Sequence, residues 1–136
     1  FGDPETQPIM SRLQTELVSL MVAAIDGRLN ETEISFDPRV ALTVVIASGG
    51  YPGSYENGKV ISGLRDVEVA KVFHAGTRMK DGEVVTNGGR VLGVTALGSS
   101  ALEASEKAYA AVNQISFNGA EFRTDIGYRA IARENS

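Results

Sequence analysis

Apolar residues recur at Ile9, Leu13, Leu17, Leu20, Met21, Ala24 and Ile25. This spacing of three and four predicts one amphipathic helix with a single buried face. Gln7-Pro8 reads as its start, because proline fits the first helical turn. Gly27 stands where a C-cap glycine belongs. Asn30 to Pro38 is polar, rich in Glu and Asp, and closes on Asp37-Pro38. It reads as a linker. A lone amphipathic helix cannot bury its face by itself. The partner of residues 1–29 must therefore be the rest of this chain or a domain outside it.

From Arg39 onward the period changes. Val40 to Ala47 is a β-branched apolar run and predicts a strand covered on both faces. Ser48 to Gly58 contains Gly-Gly-Tyr-Pro-Gly and reads as a loop. Val60-Ile61 suggests a short strand, and Val67 to Ala75, with Val69, Val72 and Phe73, a longer one. Asp81-Gly82 between Arg78–Lys80 and Glu83–Thr86 is a hairpin signal. Asn87-Gly88-Gly89 breaks the chain again, and Val91 to Leu97 is another strand. Ser99-Ser100 can cap a following helix, with Glu103 well placed in its first turn. Leu102, Tyr109, Val112 and Ile115, with Ala108 alongside, give that helix an apolar stripe. The tail from Phe117 to Ser136 is mixed, with a short helix at Tyr128 to Ala132. The strands follow one another too closely for βαβ crossovers throughout. The expected fold class is α+β with a mostly antiparallel sheet.

Composition adds exclusions. The 136 residues suit one ordinary domain, or a small domain with an appendage. A chain that is 43% hydrophobic and 22% charged is not disordered. The absence of cysteine removes disulfides and thiolate metal sites, and a single histidine, His74, removes a two-histidine mechanism. A net charge of −4 gives no general footprint for nucleic acid. No apolar run approaches the roughly 20 residues of a membrane span, and no basic-then-apolar leader is present. A cytoplasmic protein is expected. The chain opens on Phe-Gly-Asp-Pro without methionine, so it is expected to be a fragment, a cleaved product or the downstream part of a longer chain.

Four places could carry chemistry. Asp3 and Glu5 precede a helix start, where carboxylates either cap backbone N–H groups or orient an amine or cation. Ser48-Gly49-Gly50-Tyr51-Pro52-Gly53 could bring backbone N–H groups to an anion or be a plain turn, and it is neither a P-loop nor a dinucleotide fingerprint. Thr86-Asn87-Gly88-Gly89-Arg90 could hold a phosphate or carboxylate through bidentate arginine contacts, or be a second tight turn with a surface arginine. His74 is of the side-chain type suited to acid–base work near neutral pH, but it has no visible catalytic partner. No nucleophile constellation is evident, so no residue is assigned as catalytic and none as a metal ligand.

Five stretches together resemble one family. They are Phe1-Gly-Asp-Pro-Glu-Thr-Gln-Pro-Ile-Met10, Ala47-Ser-Gly-Gly-Tyr-Pro-Gly-Ser-Tyr55, Val72-Phe-His-Ala-Gly-Thr77, Val85-Thr-Asn-Gly-Gly-Arg-Val-Leu-Gly-Val-Thr-Ala-Leu-Gly98 and Phe122-Arg-Thr-Asp-Ile-Gly-Tyr-Arg-Ala130. In this order they resemble the C-terminal part of glycinamide ribonucleotide synthetase (phosphoribosylamine–glycine ligase). The resemblance implies an ATP-grasp enzyme of purine biosynthesis. Such an enzyme joins phosphoribosylamine to glycine through a glycyl phosphate, with ATP going to ADP and phosphate and magnesium or manganese neutralising the phosphates. It implies that the ATP and metal sites lie upstream, that this segment alone binds neither, and that the segment alone is inactive. Residues 1–29 would be the last helix of the ATP-grasp domain, 30–38 a linker, and 39–136 a small C-terminal domain packed on the upstream core. Asp3, Glu5 and Gln7 would lie beside the metal and phosphate site. Gly88, Gly89 and Arg90 would contact glycine carboxylate or ribose phosphate, with Tyr51 and His74 as further candidates. The rival reading is a non-catalytic packing module of an ATP-grasp enzyme, whose glycine loops are only turns.

Overall fold

The structure, a computed structural model, describes residues 2–134 and Ser136. Phe1, the first residue of the Phe-Gly-Asp-Pro stretch, lies outside them. In chain order the described residues form α1 (Thr6–Arg12), α2 (Leu17–Ile25), β1 (Val40–Ser48), β2 (Lys71–His74), β3 (Thr77–Lys80), β4 (Glu83–Thr86), β5 (Arg90–Gly98), α3 (Ala101–Val112), β6 (Ala120–Glu121) and α4 (Tyr128–Glu134). A turn of 3-10 helix spans Leu29–Glu31. The main sheet has the order β2-β5-β1-β6, and each neighbouring pair is antiparallel. The expected α+β class with an antiparallel sheet is what forms.

The β-branched content of β1 and β5 sets the core. Leu42, Val44 and Ile46 from β1 join Leu92, Val94 and Ala96 from β5 in one cluster, completed by Ala104, Ala108, Ala111 and Val112 of α3. Burying a side chain such as Ile46 or Leu92 stabilises the fold by about 1.5–3 kcal/mol. Burial alternates along β1, so its second face is only partly covered. The strand covered on both faces is the central β5, buried along most of its length. The buried face of α3 is largely alanine, because the helix lies close on the sheet. Leu102, expected in its stripe, is exposed, and Ile115 is buried beyond the end of the helix.

The hairpin at Asp81-Gly82 forms as read. Both turn residues take positive φ, 51° and 83°, as a two-residue type I′ turn requires. The strand expected over Val67 to Ala75 is shorter: its ladder with β5 runs over Lys71–His74, and the Ala75 and Gly76 N–H groups follow with single bonds to the Val91 and Arg90 carbonyls. Val60 makes an isolated bridge to Val85 rather than a strand.

The single helix expected from Gln7 to Ile25 is two. Leu13 is extended and bridges Phe36, and the Gln14 N–H donates to the Ser35 carbonyl at 3.0 Å. The Glu16 carboxylate then accepts from the N–H groups of Val18 and Ser19 at 3.1 and 2.6 Å and starts α2. At its far end Gly27, with φ 68°, closes a Schellman motif. Gly27 N–H donates to Ala24 and Arg28 N–H to Ala23. The helix α1 lies across the sheet face opposite α3, with the Gln7 amide over Gly93. In contrast, α2 leaves Val18, Met21, Val22 and Ile25 exposed, the last at 85%. No described helix is long and apolar enough to cross a membrane.

The cap of α3 makes a testable acid switch. Ser100 Oγ accepts from Glu103 N–H at 3.1 Å, while the Glu103 carboxylate accepts from Ser99 N–H and Oγ at 2.6 Å. Hydrogen bonds from Lys107 first, then from Ser99, hold the Glu103 carboxyl at about 2 instead of 4.5. A depressed carboxylate stabilises the fold above its ordinary value and loses that contribution as pH falls through its folded value. The cap should therefore weaken between pH 4.5 and about 2. A carbon NMR titration should find the low midpoint, and Lys107→Met should raise it. A midpoint at the ordinary value in the unmodified chain would refute the cap.

Candidate functional site

A β-bulge aims the central side chain of the site. Along β5 the residues Leu92, Val94 and Ala96 face α3, so strict alternation would turn Arg90 the same way. The register shifts between Ile46 and Ala47, pairing Ile46 with Leu92 but Ala47 with Arg90. Val91 is the additional residue and joins the core. Arg90 then emerges on the other face, beside Val45 and Ala47 and on the side where α1 lies.

There Arg90 meets the chain before α1. Its Nη2 is 3.0 Å from Asp3 Oδ2, and its Nη1 donates to the Asp3 carbonyl at 3.4 Å. The pair is half-exposed, so it is worth less than about 1 kcal/mol of stability. The capping alternative for Asp3 and Glu5 is not what forms. Asp3 turns to Arg90, and Glu5, at the N-cap of α1, makes no side-chain cap bond. The ring of Tyr51 also faces Arg90, with the guanidinium carbon 6.0 Å from its centre.

Ser48 locks the two glycine loops together. Its N–H donates to the Gly89 carbonyl and its Oγ to the Gly88 carbonyl, both at 2.8 Å. Its own carbonyl accepts from Tyr51 N–H at 3.0 Å. Both glycines are required by close packing. A Cβ on Gly89 would overlap the Tyr51 ring, and one on Gly88 would lie 2.9 Å from Gly76 Cα. In the Ser48–Gly53 loop the Gly49 N–H is likewise spent on the Gly119 carbonyl, at 2.6 Å. That favours the turn reading for this loop.

Arg90 and Tyr51 line an open cavity of about 420 Å³, together with Val45, Ala47, Glu121, Phe122 and Arg123. Arg123 is forked by the Asp125 carboxylate at 2.9 and 2.7 Å, which holds Asp125 below the usual carboxylate range. Glu121, Phe122 and Arg123 were not singled out in the sequence as site residues. Their signal was present, since Phe122 and Arg123 open the fifth matching stretch.

The remaining candidates lie apart. Glu5 is exposed, and Gln7 sits over Gly93 with its Oε1 buried and unpartnered among the described residues. His74 is exposed at the end of β2, its Nδ1 3.0 Å from Thr77 Oγ1, and lines a separate cavity with Met79 and Arg65. Among the described residues no group of three or more histidine, aspartate or glutamate side chains gathers to hold a metal ion.

Residues 41–129 match the family described as phosphoribosylglycinamide synthetase, C domain. Over 138 residues the chain is 59% identical to a phosphoribosylamine–glycine ligase of Vibrio cholerae, covering 100% of this chain and 32% of that protein. Over 137 residues it is 56% identical to the ligase of the same name from Pseudomonas putida, covering 98% of this chain and 32% of the relative. The crystal structure of phosphoribosylamine–glycine ligase from Thermotoga maritima superposes with a TM-score of 0.73 at 36% identity, covering 92% of this chain and 31% of that one. The chain thus spans about a third of the length of these relatives.

Proposed function

Since the chain belongs to the family of the phosphoribosylglycinamide synthetase C domain, we propose that it is the C-terminal portion of a ligase that joins phosphoribosylamine to glycine, with ATP going to ADP and phosphate. The observation that carries this reading is the placement of Arg90. A bulge turns it out of the core, and Asp3 and Tyr51 hold it at a cavity. Both substrates present an anion, a carboxylate on glycine and a phosphate on phosphoribosylamine. A guanidinium recognises either through paired N–H donors. Asp3 engages Nη2 and Nη1 of the Arg90 fork, and no described residue takes the remaining donors, which can meet a substrate oxygen.

In this reading the chain binds and orients, and the nucleotide chemistry belongs to the rest of the enzyme. The described residues offer no cluster that fits a divalent metal. No step through the metal or ATP is therefore assigned to them, and ATP with magnesium or manganese is ascribed to the upstream portion. Residues 1–29 are the last piece of an ATP-grasp domain, with Asp3, Glu5 and Gln7 at the edge of its phosphate site. Two facts support that placement: the exposed apolar face of α2, and a chain that covers a third of its relatives. Solvent-exposed Val18, Met21, Val22 and Ile25 would be covered by the upstream core. The packing-module reading draws support from Gly88 and Gly89, whose lack of side chains is explained by packing on Gly76 and Tyr51.

ADP release from ATP, with glycine and freshly made phosphoribosylamine, tests the proposal. This chain alone is expected to release none, and glycine-dependent release should appear once the upstream portion is supplied. Release by this chain alone would overturn the assignment of the nucleotide site to the rest of the enzyme.

A further inference from the structure

Arg90 faces a difficulty that the geometry of Tyr51 resolves. A half-exposed arginine carries about 2 kcal/mol of rotamer entropy, and its ion pair and 3.4 Å hydrogen bond, both to a half-exposed Asp3, cannot by themselves fix the guanidinium. A receptor that must be ordered on binding is a weaker receptor. The second constraint on Arg90 is the flat ring of Tyr51. That ring is itself held by two neighbours and through its own backbone. It packs on the bare Cα of Gly89, where no Cβ fits. Its backbone N–H is tied to the Ser48 carbonyl. The Tyr55 ring lies 6.3 Å away, tilted by 56°. Gly89 and Arg90 are consecutive, so the residue that seats the ring and the residue the ring steadies belong to one turn.

We infer that Tyr51 is a positioning residue for Arg90. Its aromatic face, not its hydroxyl, presets the guanidinium for the substrate anion, and Gly89 is glycine so that the ring can lie there. The inference rests on the reading of Arg90 as a substrate contact. It changes the expected role of Tyr51 from a contact to a support.

The test uses the intact ligase carrying this segment. Nitrogen relaxation of the Arg90 Nε–H, measured without substrate, should show an ordered side chain in the unmodified enzyme and in Tyr51→Phe, and a mobile one in Tyr51→Leu. Kinetically, Tyr51→Phe should stay within about twofold of normal, while Tyr51→Leu raises the KM of the Arg90-bound substrate by about tenfold with a smaller change in kcat. In an Arg90→Ala background Tyr51→Leu should add nothing. Should Tyr51→Leu fold poorly, Tyr51→Met, which also lacks the flat face, takes its place with the same expected loss of Arg90 order and rise in KM. An Arg90 that stays ordered in Tyr51→Leu overturns the inference. So does a Tyr51→Phe enzyme as impaired as Tyr51→Leu, or a full Tyr51→Leu effect without Arg90. Normal kinetics for Arg90→Ala would instead sink the proposed substrate role of Arg90, and the relaxation measurement would still decide whether Tyr51 positions it.

Discussion

Replacing Gly98 by alanine should destabilise the chain by about 3 kcal/mol, the upper end of what an inserted methyl group does in a packed core. The residue ends β5 where α3 crosses it. A Cβ there would overlap the Ala104 backbone nitrogen and lie 2.9 Å from Ala104 Cα and the Glu103 carbonyl carbon. These are backbone atoms of a capped helix, so no side-chain rotation relieves the overlap. Two effects oppose the loss. Alanine restricts the unfolded chain, and it is the better residue in a strand interior, together worth about 0.5–1 kcal/mol. The overlap wins because helix and strand must separate over the alanine face that buries α3. Gly93, on the same strand, is the control. A Cβ there meets Thr43 Cγ2 at 3.6 Å and the Gln7 amide at 3.7 Å, ordinary contact distances. Gly93→Ala should leave stability unchanged or raise it by a few tenths of a kcal/mol. Urea midpoints for the two variants decide the matter. Equal midpoints would mean that the close approach of α3 to β5 is not what the structure depends on.

The elements readable from the sequence are those whose cause is local. Asp81-Gly82 sits in a turn that demands positive φ at both residues, and few other pairs supply it. Ser100 and Glu103 satisfy each other's neighbourhood within four residues. The β-branched runs of β1 and β5 declare themselves because burial and propensity agree there. What escaped reading depends on distant partners. The break between α1 and α2 is made by Ser35 and Phe36, far along the chain, which draw Leu13 and Gln14 out of the helix. Leu102 fits a helical stripe, yet the helix turns alanine toward the sheet, because its distance from β5 is set by Gly98.

The site follows the same division. Asp3 and Arg90 are 87 residues apart and were each visible as a candidate. Their meeting was not, because Arg90 reaches that face only through the extra residue Val91, a parity change that periodicity would have assigned the other way. Glu121 to Arg123 come to the cavity through the short pairing of β6 with Ala47 and Ser48, a two-residue strand with no period to detect.

Arg90→Ala in the intact ligase should lower kcat/KM by roughly 10- to 150-fold, the loss expected when a charged hydrogen-bond donor to a bound anion is removed. Stability should change by less than about 1 kcal/mol, since the side chain is 41% exposed and its partner Asp3 53%. The combination separates the two readings of this chain. A packing module needs Gly88 and Gly89 for their lack of side chains but has no use for the guanidinium, so it predicts near-normal kinetics. A substrate receptor needs the guanidinium and predicts a large kinetic loss in a fully folded enzyme. Which substrate's KM rises then identifies the anion, glycine carboxylate or ribose phosphate. Asp3→Asn refines the answer. Asp3 is expected to steady Arg90 from the far side of the fork, so its removal should cost less than the loss of Arg90 and raise the KM of the same substrate. If Asp3→Asn raised a different KM, the two residues would be serving different ligands, and their 3.0 Å contact would be a bridge between two subsites.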